Sequence, residues 1–90
     1  MNNELTRDYI RTIAEKKSIS RAADQLGISQ PALSAYLRKV EKHLGVELFD
    51  RSVLPIELTR AGQEYLKYLD GVENLYEEFR QSLKQADRSI

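Results

Sequence analysis

The sequence predicts a mainly α fold: a three-helix core, a small β-hairpin and a long final helix. Three observations predict it. Apolar residues recur at helical spacing in three segments up to Leu44, the second and third separated only by Gly27 and Ile28. After Gly45 the pattern changes to short strand-like runs. From Tyr65 to Leu83 the apolar residues then follow a 4-3-4-3-4 spacing, the seam of a coiled coil.

The first helix runs from about Leu5 to Lys17. Leu5, Tyr9, Ile10, Ile13 and Ala14 mark its inner side, with Arg7, Asp8, Arg11 and Glu15 opposite. It is a packing element. Lys16 and Lys17 fall in its last turn, where cations complement the negative end of the helix dipole, a role preferred here over phosphate contact.

Ser18 is placed to cap a second helix of about eight residues, whose buried side is Ile19, Ala22, Ala23 and Leu26. Small side chains let two helices cross closely, although alanine is also simply a good helix former. Gly27 can take the left-handed conformation that ends a helix in a tight turn, with Ile28 folding back as an apolar plug. Ser29 then caps the third helix, with Pro31 in its first turn, where a missing N–H costs nothing. Because Pro31 cannot donate, the Ser29 hydroxyl should accept from the N–H of Ala32. At 100° per residue, Leu33, Leu37, Val40 and Leu44 form an inner stripe. Pro31, Ala35, Arg38 and Lys42 form the outer one, flanked by Ser34 and Lys39. Small side chains near the N-terminus allow close approach to base edges, and the cations further along can reach phosphates or a guanine. A solvated helix face has the same composition. Ser18 to Leu44 as a whole has the pattern of a helix-turn-helix, the unit that places one helix in a DNA groove.

Leu48-Phe49-Asp50-Arg51 and Ile56-Glu57-Leu58 are two short strands joined by Ser52-Val53-Leu54-Pro55. Thr59 caps the last helix, and Gly62 in its first turn is expected to allow close packing against the first or second helix. The seam comprises Tyr65, Leu69, Val72, Tyr76, Phe79 and Leu83, widened by Leu66 and Leu75. At about 1.5 Å per residue the segment from Arg60 to Gln85 would be roughly 39 Å long, more than so small a domain can cover. Its seam is therefore expected to meet another chain; folding back as a fourth core helix is the alternative. Gly71 weakens the middle by about 1 kcal/mol, and Gln85 to Ile90, lacking pattern, is expected to fray.

Composition narrows the function. The 90 residues suit one domain, and the absence of cysteine removes disulfides, thiolate zinc sites and cysteine nucleophiles. The polar segment from Met1 to Asp8 is no signal sequence, and no run approaches a membrane span, so a cytoplasmic protein with no membrane partner is expected. Fourteen basic and fourteen acidic residues cancel, which by itself argues against a nucleic-acid binder. The charge is not evenly spread, however: residues 16–60 carry eight basic and five acidic side chains, and residues 61–90 four basic and six acidic. No catalytic constellation is present. His43 is a lone histidine near a helix end, Glu77 and Glu78 diverge, and the glycines at 27, 45, 62 and 71 make no phosphate loop. Neither an enzyme, a metal site nor a cofactor is expected.

The combined spacing of several runs is specific. Ser20-Arg21-Ala22-Ala23, Leu26, Ser29-Gln30-Pro31-Ala32-Leu33-Ser34, Val40-Glu41, Leu44-Gly45-Val46, Leu48-Phe49-Asp50-Arg51 and Leu58-Thr59-Arg60-Ala61-Gly62 closely resemble the N-terminal domain of LysR-type transcriptional regulators. The likeness extends from Leu5 to about Leu83. It implies a winged helix-turn-helix over residues 1–59, with the helix-turn-helix at about 18–44 and the wing at about 48–58, then a linker or dimerisation helix over 60–90. It also implies binding of double-stranded operator DNA as dimers or tetramers, with linker helices paired antiparallel.

The DNA-binding residues implied are Ser20, Arg21, Ser29, Gln30, Pro31, Ser34, Ala35, Arg38, Lys39, Lys42 and Arg51. Arg51 would touch the DNA backbone or minor groove, with a salt bridge to Asp50 or Glu47 as a concurrent role. The wing tip departs from many relatives, carrying Val53 and Leu54 where basic residues are common, and Glu57 adds negative charge. Full family members continue into a larger C-terminal domain that binds a small inducer; nothing like it occurs in these residues, as in an excised DNA-binding domain or a natural short relative. The competing hypothesis is a protein-binding winged helix in which the same dimer serves only assembly.

Overall fold

The computed structural model describes residues 2–88, in the order α1 (Asn3–Lys16), α2 (Ile19–Leu26), α3 (Gln30–Leu44), β1 (Phe49–Asp50), β2 (Glu57–Leu58) and α4 (Arg60–Arg88). Asn2 caps α1, its side chain accepting from Leu5 N at 3.1 Å, so the helix starts earlier than the apolar pattern indicated. Ile10 and Ile13 are fully buried. Leu5, expected on the inner side, is exposed, and Thr6 takes its place. Helical spacing explains the correction: Thr6 lies four and seven residues before Ile10 and Ile13, on their stripe, and Leu5 is about 100° away from it. The buried Thr6 hydroxyl is satisfied by Asn2 O at 2.9 Å and the Tyr36 hydroxyl at 2.5 Å.

Ser18 caps α2 by accepting from Arg21 N at 3.2 Å. Ala22 and Ala23 are buried, leaving the space in which α2 meets α1 and α3. Gly27, at φ 70°, donates to Asp24 O at 3.2 Å, and Ile28 N donates to Ala23 O at 3.1 Å, closing the turn. The Ser29 hydroxyl accepts from Ala32 N at 3.2 Å, as Pro31 requires. Leu33, Leu37 and Val40 are fully buried, but Leu44 is not part of that core. Three turns of α3 cover the inner layer; the last turn extends beyond, leaving Leu44 exposed beside an open cleft shared with Asn3, Tyr65 and Tyr68.

The hairpin is antiparallel, Phe49 opposite Leu58 and Asp50 opposite Glu57, with a cis peptide between Leu54 and Pro55. Leu48, Phe49 and Ile56 anchor it in the core. Thr59 joins the hairpin to α4: its N–H donates to Leu48 O at 2.9 Å, and its hydroxyl donates to Glu47 O at 2.7 Å while accepting from Gly62 N at 3.0 Å. Gly62 faces the hairpin rather than α1 or α2. A Cβ there would overlap the Leu48 carbonyl oxygen and lie 2.7 Å from Leu58 Cδ2. Gly62→Ala is therefore expected to cost about 1 to 3 kcal/mol by overpacking, read as a lower urea midpoint at unchanged slope.

The expected fourth element is one helix of 29 residues, about 43 Å long at 1.5 Å per residue, within a molecule whose longest dimension is 56 Å. Its first three turns belong to the body: Gly62 and Leu69 are buried, and Tyr65 and Leu66 pack against the core. Arg7 Nε lies 2.6 Å from Asp70 Oδ1, and Arg11 Nη2 lies 2.5 and 2.6 Å from the two Asp70 oxygens. The polar side of α1 thus faces α4. Hydrogen bonds from Arg11 and then Arg7 hold the Asp70 carboxyl below its ordinary range.

The long seam consequently splits. Leu69, at 1 % exposure, is spent on the intramolecular core and Tyr65 largely so, while Tyr68, Leu75, Tyr76, Phe79 and Leu83 are exposed. Fraying from Gln85 is not observed, since α4 continues to Arg88; Ser89 and Ile90 lie outside the described residues. No described helix is long and apolar enough to cross a membrane.

Candidate nucleic-acid interface

α3 is presented outward by the contacts behind it. Its inner leucines and Val40 fix its depth, and Tyr36 fixes its rotation by bonding Thr6 and meeting the Tyr9 ring edge-on at 4.9 Å. On the opposite face Ser29, Gln30, Pro31, Ala35, Arg38, Lys39 and Lys42 are exposed, and Ser34 is half-buried. Gln30 Nε2 donates to the Ser34 hydroxyl at 2.9 Å, holding the amide along the helix surface. Ser20 and Arg21, in the first turn of α2, are exposed as well.

Charge sorts these side chains further. Among the described residues, Arg7 and Arg11 are paired with Asp70, Arg51 with Glu41 and Arg80 with Glu77. Arg21, Arg38, Lys39 and Lys42 have no such partner. The zero net charge therefore conceals four exposed, unpaired cations on α2 and α3, balanced by net negative charge between α3 and α4, where Glu47, Asp50 and Glu57 outnumber Arg51, and on α4. An exposed cation without an internal partner is free to exchange its counterions for phosphates, which an ion-paired one does only by giving up its partner.

Arg51 is where the structure corrects the sequence most. It pairs with neither Asp50 nor Glu47. Its guanidinium grips Glu41 through two nitrogens, at 2.9 and 3.3 Å, and the same carboxylate accepts from Leu48 N at 2.7 Å. The Glu41 side chain is only 11 % exposed, so this pair ties the wing base to the back of α3. Asp50 instead accepts from the Ser52 hydroxyl at 2.5 Å and Ser52 N at 2.9 Å, which lowers its pKa. The wing tip offers exposed Val53 and Leu54.

The tethers Glu41, Thr6 and Tyr36 were not singled out as site-building residues from sequence. A signal existed for Glu41 and Tyr36: each is adjacent to the inner stripe of α3, next to Val40 and Leu37. Thr6 lay hidden because a polar residue carries no weight in an apolar pattern.

Comparison with known proteins gives a consistent result. Residues 8–63 match the family described as bacterial regulatory helix-turn-helix protein, lysR family. The chain is 35% identical over 77 residues to the uncharacterized HTH-type transcriptional regulator YybE of Bacillus subtilis (strain 168), covering 86% of this chain and 26% of that protein. It is 43% identical over 75 residues to a probable RuBisCO transcriptional regulator of Cyanidium caldarium, covering 83% and 24%. The chain thus spans about a quarter of the length of the curated relatives it matches. Among solved structures it is similar to BenM_DBD in complex with catB site 1 DNA, with a TM-score of 0.77, 26% identity and coverage of 99% of this chain and 95% of that one.

Proposed function

This chain belongs to the lysR family of bacterial regulatory helix-turn-helix proteins and is a sequence-specific DNA-binding domain, and we propose that α3 is its reader and that it works as a homodimer. The observation that carries the reading is the exposed face of α2 and α3, where Arg21, Arg38, Lys39 and Lys42 make no salt bridge, beside Arg7, Arg11 and Arg51, which are ion-paired internally. In this reading α3 enters the major groove. Gln30, Pro31, Ser34 and Ala35 approach base edges, Arg38 reads a base, and Ser20, Arg21, Ser29, Lys39 and Lys42 hold phosphates.

The homodimer forms through the apolar stripe of α4: half-buried Val72 and exposed Tyr76, Phe79 and Leu83 from the predicted seam, joined by exposed Tyr68 and Leu75 in place of Leu69. Two readers then span half-sites about one helical turn, roughly 34 to 36 Å, or a multiple of it apart. In this reading the winged helix-turn-helix runs to Thr59 and the dimerisation helix begins at Arg60, the first residue of α4. Tetramers and a small inducer belong to a longer protein with an effector domain. The site of action is the cytoplasm, where bacterial DNA is held.

The exposed Val53 and Leu54 and the neutralised Arg51 favour a second reading, a module that binds protein through the wing. Selection from random double-stranded DNA separates the two. Enrichment of paired, inverted half-sites supports the first; recovery of unselected sequence would leave only the second.

The wing supplies a finer test. Glu41→Gln keeps an acceptor for Leu48 N but removes the charge that neutralises Arg51. If Arg51 lies at the DNA backbone, the slope of log K against log salt should steepen by about 0.9 for the phosphate gained. An unchanged slope would place Arg51 away from the DNA.

A further inference from the structure

α4 is held to the body at two places. At its start, Thr59 and Gly62 are fixed to the hairpin. Three turns later, Asp70 receives three hydrogen bonds from Arg7 and Arg11 of α1. Arg11 Nε is buried without a partner, so the bonds of its Nη2 to Asp70 are what anchors that side chain. At Gly71 an added Cβ would meet nothing, Val72 and Glu73 are half-buried, and from Asn74 onward every described residue of α4 is exposed. Asp70 thus hydrogen-bonds α4 to α1 at the point where the helix leaves the body.

α1 carries a second polar contact on another side, the Thr6 hydroxyl bonded to Tyr36 of α3. The recognition helix and the dimerisation helix are thus each hydrogen-bonded to the same rigid helix. We propose that Asp70, through Arg7 and Arg11, is a positioning residue that fixes the angle at which α4 leaves the reading head and thereby sets the half-site spacing the protein accepts. The proposal rests on the homodimeric reading above.

Leverage makes a small contact decisive. The eighteen residues from Gly71 to Arg88 extend about 27 Å beyond the clamp at 1.5 Å per residue. A rotation of about 10° at Asp70 moves the far end of that arm about 5 Å, close to one and a half base-pair steps of 3.4 Å. Leu66 and Leu69 press α4 against the body, but apolar contacts resist separation more than rotation, whereas charge-assisted hydrogen bonds depend on direction. The clamp is also partly exposed, with about a third of the Asp70 side chain open to solvent. It should therefore be removable without unfolding the domain.

The experiment measures binding of the whole chain to duplexes bearing two selected half-sites, their separation varied in single base-pair steps, and to one half-site alone. The parent is expected to lose about tenfold or more in affinity for one base pair of displacement. Asp70→Asn should reduce that loss to threefold or less while binding one half-site as the parent does. Arg7→Gln with Arg11→Gln should give the same broadened profile, and decides the matter should Asp70→Asn lose its helical signal. A mere loss of stability would weaken all duplexes alike, so a spacing profile identical to the parent's in a folded variant overturns the proposal. Failure of the homodimeric reading appears separately, as a parent that binds two half-sites no better than one, and removes the proposal with it.

Discussion

Tyr76→Asp combined with Phe79→Asp is expected to halve the sedimenting mass and to lower affinity for a two-half-site DNA by about 100-fold or more, with single half-site affinity unchanged. Both side chains are 55% exposed in the single chain, between Leu75 at 67% and Leu83 at 51%, on a helix that has already left its own core. That much contiguous apolar surface is stable in water only when covered. The carboxylates would sit in the middle of the seam, where pairing would bury charge without a partner. Neither residue belongs to the core cluster, so the helical signal of the domain should survive. Unchanged mass in the double variant would remove the stripe as the interface.

Arg38→Ala carries the second largest expected effect, a loss of about 1 to 3 kcal/mol on the selected site with relaxed preference at one base position. Arg38 has no salt bridge to another residue, is exposed on the face opposite Leu33 and Val40, and stands one turn beyond Ala35, whose small side chain permits close approach. Its removal disturbs no internal contact, so thermal stability should remain that of the parent. Lys39→Ala and Lys42→Ala should behave differently, each flattening the salt slope by about 0.9 while leaving sequence preference intact. A uniform loss for Arg38→Ala, like that of the lysines, would make Arg38 a phosphate contact.

The helices and their caps were legible in the sequence because capping and turn chemistry are local: Ser18, Gly27 and Ser29 act on neighbours three or four residues away. The exposed face of α3 was legible for the same reason, since helical geometry alone puts Ala35, Arg38 and Lys42 opposite Leu33 and Leu37. What sequence left hidden depends on contacts distant in the chain. Nothing local indicates that Arg7 and Arg11 meet Asp70, or that Arg51 chooses Glu41 over its nearer acids. Leu69 shows the general difficulty: one heptad pattern runs from a residue buried against the body to residues left exposed, and spacing does not distinguish them.

In the proposed reading, a chain of zero net charge reads DNA through a small set of unpaired cations on α2 and α3. The most direct measurement is the affinity of the unmodified chain for a selected site and for a scrambled duplex of equal length, at 50 and 200 mM salt. Both affinities should fall steeply with salt while the selected site stays ahead by a factor of about 10³ or more. Equal affinities for the two duplexes, or binding indifferent to salt, would contradict it.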